Sequence, residues 1–200
     1  MPGRAGHEVR RAADPVLATR GRGGHPGPML TLALLRHAKS AWDDPGLDDF
    51  DRPLAPRGVK AARTMGAYLA RERLKPDLVL CSDAARARAT LALLLPELGS
   101  PAPEILYDGA LYLASPAALL DRLRRTPKNA RRVLVIGHNP GLHALALDLI
   151  GDGRRSDITA LATHFPAAAL AVISFPAESW SAVAPAGGRL LCYMTPKRLD

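Results

Sequence analysis

Two short aliphatic runs in this chain each break at a histidine. LTLALLRH covers Leu30 to His37, and RRVLVIGHNP covers residues 131–140. Each run is too short for a buried helix and has no polar residue at every second place, so each reads as a strand buried on both faces. DLVLCS, 77–82, is a third run of this kind. Residues 103–107, LAVISFP at 170–176 and RLLCYMT at 189–195 supply further strands. Helical patterns lie between them. Residues 56–72 place Pro56 in a first turn and give an apolar face of Val59, Ala62, Met65, Ala67 and Leu69. Residues 84–95 read as a helix stopped by Pro96, and 115–126 as one opened by Ser115-Pro116 and closed by arginines. GLHALALDLI, 141–150, reads as a mostly buried helix, while 151–168 has no clear pattern.

Short buried strands alternating with helices predict an α/β fold. The expected architecture is a three-layer α/β/α sandwich around a mostly parallel central sheet. Such sheets bind ligands beyond the carboxyl ends of their strands. Arg36 and His37 end the first strand, Ser82 the second and His138 the fourth, so three strand ends bring polar groups to one edge.

The size and charge narrow the function. Of 200 residues, 48% are apolar, enough for one core. Residues 1–28 carry five arginines against two acids, with no sustained period, and read as a disordered basic tail; 29–200 then form a single domain. Met29 directly precedes the first strand, which raises translation from that position as an expectation. The formal charge is +8, yet aromatic residues are few and no stacking platform is visible, so a nucleic-acid partner is not expected. No apolar run is long enough to span a membrane, and the N-terminus lacks the apolar centre of a signal peptide. Cys81 and Cys192 sit in separate strand-like runs and read as two buried thiols, which suits a reducing cytoplasm.

A histidine at a strand end is usually a hydrogen-bonded structural group. Two of them, one preceded by arginine and one beside the start of a helix, suggest an anion site. Arginine supplies lasting positive charge and a fork for two oxygens. A neutral imidazole is a nucleophile near pH 7, and a helix start offers N–H groups to the same anion. Composition and spacing reach an anion or phosphate site and no further.

Four segments in order carry a resemblance. They are Leu35-Arg36-His37-Ala38-Lys39-Ser40, Asp51-Arg52-Pro53-Leu54-Ala55-Pro56-Arg57-Gly58, Ser82-Asp83-Ala84-Ala85-Arg86-Ala87-Arg88-Ala89-Thr90 and Gly137-His138-Asn139-Pro140. Together they resemble the histidine phosphatase superfamily, also called phosphoglycerate mutase-like, in its SixA-like branch. The likeness runs from about Leu30 to Thr195. It implies that His37 becomes phosphohistidine, that Arg36 and Arg86 bind phosphoryl oxygens and that His138 stabilises the transferring group. It implies auxiliary places for Arg52 and Arg57 at the rim or bracing the pocket, with Asn139 beside His138. Lys39 reaches substrate or stays a solvated loop lysine, and Ser82 shapes the loop that presents Arg86. Arg88, two places on, points elsewhere on the helix. No metal or other cofactor is implied.

Many members of that superfamily carry a carboxylic acid that protonates an alcohol leaving group. The acids available here are Glu97, Glu104 and Asp108, none in a matching insert; Asp108 and then Glu104 are the candidates for a general acid. A weak or missing acid favours a leaving group that departs neutral, such as the imidazole of phosphohistidine. The expected partner is therefore a phosphorylated protein, a phosphotransfer domain above all. Small phosphorylated molecules and a non-catalytic phosphate-binding module are the alternatives. In the unpatterned region, His164 reads as a surface histidine or one that reaches the site from a loop, and the pair Arg154 and Arg155 as solvated loop residues or a docking patch for an acidic protein surface.

Overall fold

The computed structural model describes residues 29–199. The basic segment 1–28 lies outside them. Seven strands form one sheet in the order β3-β2-β4-β1-β6-β7-β5. They are β1 (Leu30–Arg36), β2 (Leu78–Ser82), β3 (Glu104–Asp108), β4 (Arg132–Gly137), β5 (Ile150–Gly153), β6 (Leu170–Phe175) and β7 (Gly188–Met194). β1 pairs parallel with β4, β4 with β2, β2 with β3, and β7 with β5. β6 runs antiparallel to both β1 and β7, so it alone points the other way.

The helices are α1 (Pro56–Arg71), α2 (Ala85–Leu98), α3 (Pro116–Arg124), α4 (Gly141–Leu149) and α5 (Arg155–Thr163). They cover both faces because each strand alternates its side chains between them. Leu30, Leu32 and Leu34 join one core with Leu119 and Leu123 of α3, Leu142 and Leu145 of α4 and Leu161 of α5. Ala33 and Leu35 join the other with Met65 and Leu69 of α1 and Leu91 and Leu94 of α2. This is the predicted three-layer α/β/α sandwich with a mostly parallel sheet. Both cysteines are buried free thiols. Among the described residues, no helix is long and apolar enough to cross a membrane.

Three local readings differ. Pro96 lies inside α2, which continues to Leu98 and ends at Gly99 with φ 66°. A proline removes the N–H that would bond the carbonyl four residues back. That residue, Ala92, is exposed, so water can solvate its carbonyl, and proline so near the end costs little. On α1, Ala67 is exposed and Val59 only partly covered, while Gly58, Gly66 and Tyr68 are buried, so the face is rotated toward α2. The unpatterned region 151–168 holds most of β5 and all of α5. Its short edge strand is too brief for periodicity to show.

The parallel pairing puts the ends of β1, β2, β3 and β4 on one edge, and β7 also ends there. The reversed β6 begins there, which brings the segment before it, Phe165 to Ala169, to the same edge. The loop after β1 is pinned where Ala55 N–H donates to Lys39 O at 2.9 Å and Ser40 bridges to Leu54. Gly58 makes this possible, since a Cβ there would lie 2.1 Å from Lys39 O. Gly58→Ala is expected to destabilise the fold by about 1–3 kcal/mol, as overpacking against backbone does. A urea unfolding midpoint equal to that of the unsubstituted chain would show that α1 does not need this close approach.

Candidate active site

His37 follows the last residue of β1, and its backbone N–H still donates to Gly137 O at 3.1 Å, extending the ladder by one residue. The ring is therefore rigidly presented, and it is 8% exposed. Its Nδ1 lies 2.8 Å from Ala38 O and Arg86 Nε–H donates to its Nε2 at 3.3 Å. A carbonyl can only accept and a guanidinium only donate, so the proton sits on Nδ1 and the Nε2 lone pair faces Arg86. Burial, aided by Arg86 and Arg36 and opposed by the Ala38 carbonyl, pushes His37 down to about 4. The imidazole is neutral at pH 7.

His138 follows β4 and its ring centroid stands 4.9 Å from that of His37. Arg86 Nη2–H donates to its Nδ1 at 3.3 Å, so Nε2–H donates to Ser82 Oγ at 2.8 Å. Burial first, then His37 and Arg86, pushes His138 down to about 3. Arg86 reaches both imidazoles from the first turn of α2, at 4% exposure. Arg36 donates from Nη1 to Phe165 O at 3.0 Å, while its Nε is buried without a protein partner. Burial and the charge of Arg86 lower its pKa. The buried Arg86 and partly buried Arg36 guanidinium groups beside two neutral imidazoles form a positive, donor-rich pocket. Such a pocket stabilises an anion with several oxygens and holds a nucleophilic nitrogen beside it.

A cavity of about 810 Å³ opens over this cluster. Of the residues singled out in the sequence, Arg36, His37, Lys39, Arg57, Arg86, His138 and Asn139 line it. Asn139 donates to Phe165 O at 2.9 Å, tying the His138 loop to the segment before β6. Ser82 and Arg52 stand behind the wall. Ser82 holds His138 and also accepts from Ala84 N–H at 3.4 Å, shaping the turn before Arg86. Arg52 lies over the Trp42 ring at 4.0 Å and 3.8 Å from Asp49, bracing the rim. Arg88 pairs with Asp83 at 2.8 Å, away from the cavity. His164 is an exposed surface histidine and also reaches the cavity wall from its loop.

The candidate acids are not brought to the cavity. Asp108 is taken by Arg122 Nε at 2.7 Å and by Ala110 N–H at 2.9 Å. Glu104 begins β3, at the opposite edge of the sheet, and Glu97 packs against Gly66 on α1. Asp49 is the carboxylate that does line the cavity. Its Oδ2 accepts from Arg86 Nη2 at 2.8 Å and from Tyr112 O–H at 2.6 Å. Tyr112 and Arg86 hold its carboxyl below the usual range, against some desolvation. Asp49, Trp42, Tyr112 and Lys197 were not singled out in the sequence. They lie in loops or 3-10 turns without periodicity; the DRPL segment two residues after Asp49 was the nearest signal.

Residues 32–109 match the model of the histidine phosphatase superfamily (branch 1). An uncharacterized protein of Mycobacterium tuberculosis is 38% identical over 165 residues, 82% of this chain and 100% of the relative. A candidate phosphohistidine phosphatase SixA of Nakamurella multipartitia has a solved structure 33% identical to this chain. The match covers 86% of this chain and 99% of that one, at a TM-score of 0.73. The chain belongs to the histidine phosphatase superfamily. Within that superfamily it stands with the SixA-like branch. A second candidate SixA structure, from Agrobacterium tumefaciens, is 31% identical over 84% of this chain and 98% of its own, at a TM-score of 0.70.

In this histidine phosphatase chain the neutral imidazoles have a cost in acid. Unfolded histidines titrate near 6.5, whereas His37 and His138 resist protonation until about 4 and about 3. The unfolded chain thus binds more protons below pH 6.5, so stability falls as pH drops from there. The urea midpoint is expected to fall between pH 6.5 and 5, above the main carboxylate range. The double variant His37→Asn, His138→Asn should show a shallower fall; an equal slope would mean that the two rings protonate normally in the folded state.

Proposed function

We propose that the chain is a phosphohydrolase that takes a phosphoryl group onto His37 Nε2 and passes it to water, with phosphohistidine in a signalling protein as substrate. The observation that carries this reading is the proton assignment of His37. With Nδ1–H fixed on Ala38 O, the Nε2 lone pair faces the buried Arg86 guanidinium, in a pocket that Arg36 also lines. In the first step the Nε2–P bond forms as the bond to the leaving group breaks. In the second, water oxygen bonds to phosphorus, the N–P bond breaks and the water proton leaves with phosphate or solvent. Arg36 and Arg86 bear the equatorial charge throughout. An arriving phosphoryl dianion raises the basicity of His138, so that its Nδ1 takes up a proton from solvent as the anion enters and donates it in a hydrogen bond to the phosphoryl group.

The leaving group follows from Asp49. An alkoxide needs a proton donor, and Asp49 is a charged acceptor already engaged by Arg86 and Tyr112. The imidazole of a protonated phosphohistidine departs neutral and needs no such donor. The candidate phosphohistidine phosphatases of similar fold support the same substrate class. A phosphotransfer domain is the natural carrier of such a group.

The test is phosphate release from a phosphohistidine-bearing phosphotransfer protein beside a panel of small phosphomonoesters. Release from the protein is expected to be the faster, and His37→Ala should lower it by about 10³-fold or more. Faster turnover of a small ester would replace the protein substrate with a metabolite. Absence of His37-dependent release from either would favour a module that only binds phosphate.

A further inference from the structure

The Arg86 guanidinium has two edges, and they face different things. Its inner edge, Nε and Nη2, donates to His37 Nε2 and His138 Nδ1, both at 3.3 Å. Its outer edge, Nη1 and Nη2, is held by Asp49. Nη2 donates to Asp49 Oδ2 at 2.8 Å and Nη1 donates to the Asp49 backbone carbonyl. Asp49 is fixed in turn by Tyr112 O–H at 2.6 Å. The Tyr112 ring meets His138 edge-on at a centroid distance of 5.2 Å and packs against Phe50 at 5.0 Å.

Each participant comes from a different strand end. Arg86 follows β2, Asp49 lies in the 3-10 turn Asp49–Asp51 after β1, Tyr112 follows β3 and His138 follows β4. An arginine has many rotamers, and a fork that must meet two oxygens gains from being held in one. A grip on the outer edge does this without occupying the inner edge.

We propose that Asp49, held by Tyr112, is a positioning residue that grips the outer edge of Arg86 so that Nε and Nη2 meet the transferring phosphoryl group as a fixed two-donor fork. The assignment of the inner edge to a phosphoryl group rests on the reading of His37 as its acceptor. The grip has a consequence that separates it from a plain loop anchor. The Asp49 charge repels the substrate anion while its geometry serves the transfer. Removing it therefore acts in opposite senses on binding and on turnover.

The test uses the full chain with Asp49→Ala, Asp49→Asn and Tyr112→Phe. With the phosphotransfer substrate, Asp49→Ala is expected to lower kcat about 10- to 100-fold. Its Kd for inorganic phosphate should stay level or tighten. Asp49→Asn keeps an acceptor for Nη2 and should restore much of kcat. Tyr112→Phe loses one hydrogen bond and should cost about two- to tenfold in kcat. Proton exchange at Arg86 Nε–H, followed by nuclear magnetic resonance, should speed up about tenfold in Asp49→Ala once the guanidinium is free to turn. The proposal is overturned if Asp49→Ala leaves kcat and Nε–H exchange within about twofold of the parent. It is also overturned if Asn is as damaging as Ala while kcat, phosphate affinity and melting temperature all fall together. The exchange and phosphate arms need no turnover. A chain that hydrolyses neither substrate class would therefore sink the proposed function and still decide the grip.

Discussion

Arg86 donates to both imidazoles, and the rest of the site is arranged around that fact. Its guanidinium lies between His37 and His138 at 3.3 Å from each, almost without solvent. A guanidinium accepts no proton, so the ring nitrogens it faces are both acceptors, and the opposite nitrogens must find partners elsewhere. Ala38 O supplies one and Ser82 Oγ the other. One cation thus sets two tautomers, adds to the burial that keeps both rings neutral and leaves the nucleophilic lone pair pointing at the positive charge it would share with a phosphoryl group.

This arrangement works against stability. Arg36 and Arg86 are close enough for each to oppose the charge of the other, and the buried Nε of Arg36 has no protein partner. Asp49 relieves part of this from the outer side. An incoming anion relieves more, because buried charge is costly until matched. The charge at these strand ends in this sense favours an oxyanion. The sheet tolerates the strain because its strand ends are held by hydrogen bonds that the anion does not touch, such as His37 N–H on Gly137 O.

The fold and the central cluster were legible in the sequence for physical reasons. Buried parallel strands are short aliphatic runs, and a charged residue can follow only where the strand leaves the core. The ends of β1, β2 and β4 therefore announced themselves through Arg36-His37, Ser82 and His138. Helical geometry separates Arg86 from Arg88, two places on, and the family motif names Arg86 as the one at the pocket. The cavity wall was far less legible. Trp42 and Asp49 come from a loop rich in acids, glycine and proline, and Lys197 from a 3-10 turn near the C-terminus. No period marks such residues. The Phe165 carbonyl, which accepts from both Arg36 and Asn139, belongs to the backbone and leaves no side-chain trace.

By itself the sequence determined the layered α/β class and the edge at which chemistry gathers, through local patterns of burial and charge that each segment carries independently of its neighbours. The four groups at the centre of that edge were named by the resemblance of the chain's motifs to a family. Only the tertiary structure decided which carboxylate belongs to the site. Asp108 and Asp49 are alike as residues, but Asp108 is consumed by Arg122 across 14 residues of chain while Asp49 meets Arg86 across 37. The partner of a carboxylate is chosen by which guanidinium the folded loops bring within about 3 Å, a distance that hydrogen bonding demands and that spacing along the chain does not encode.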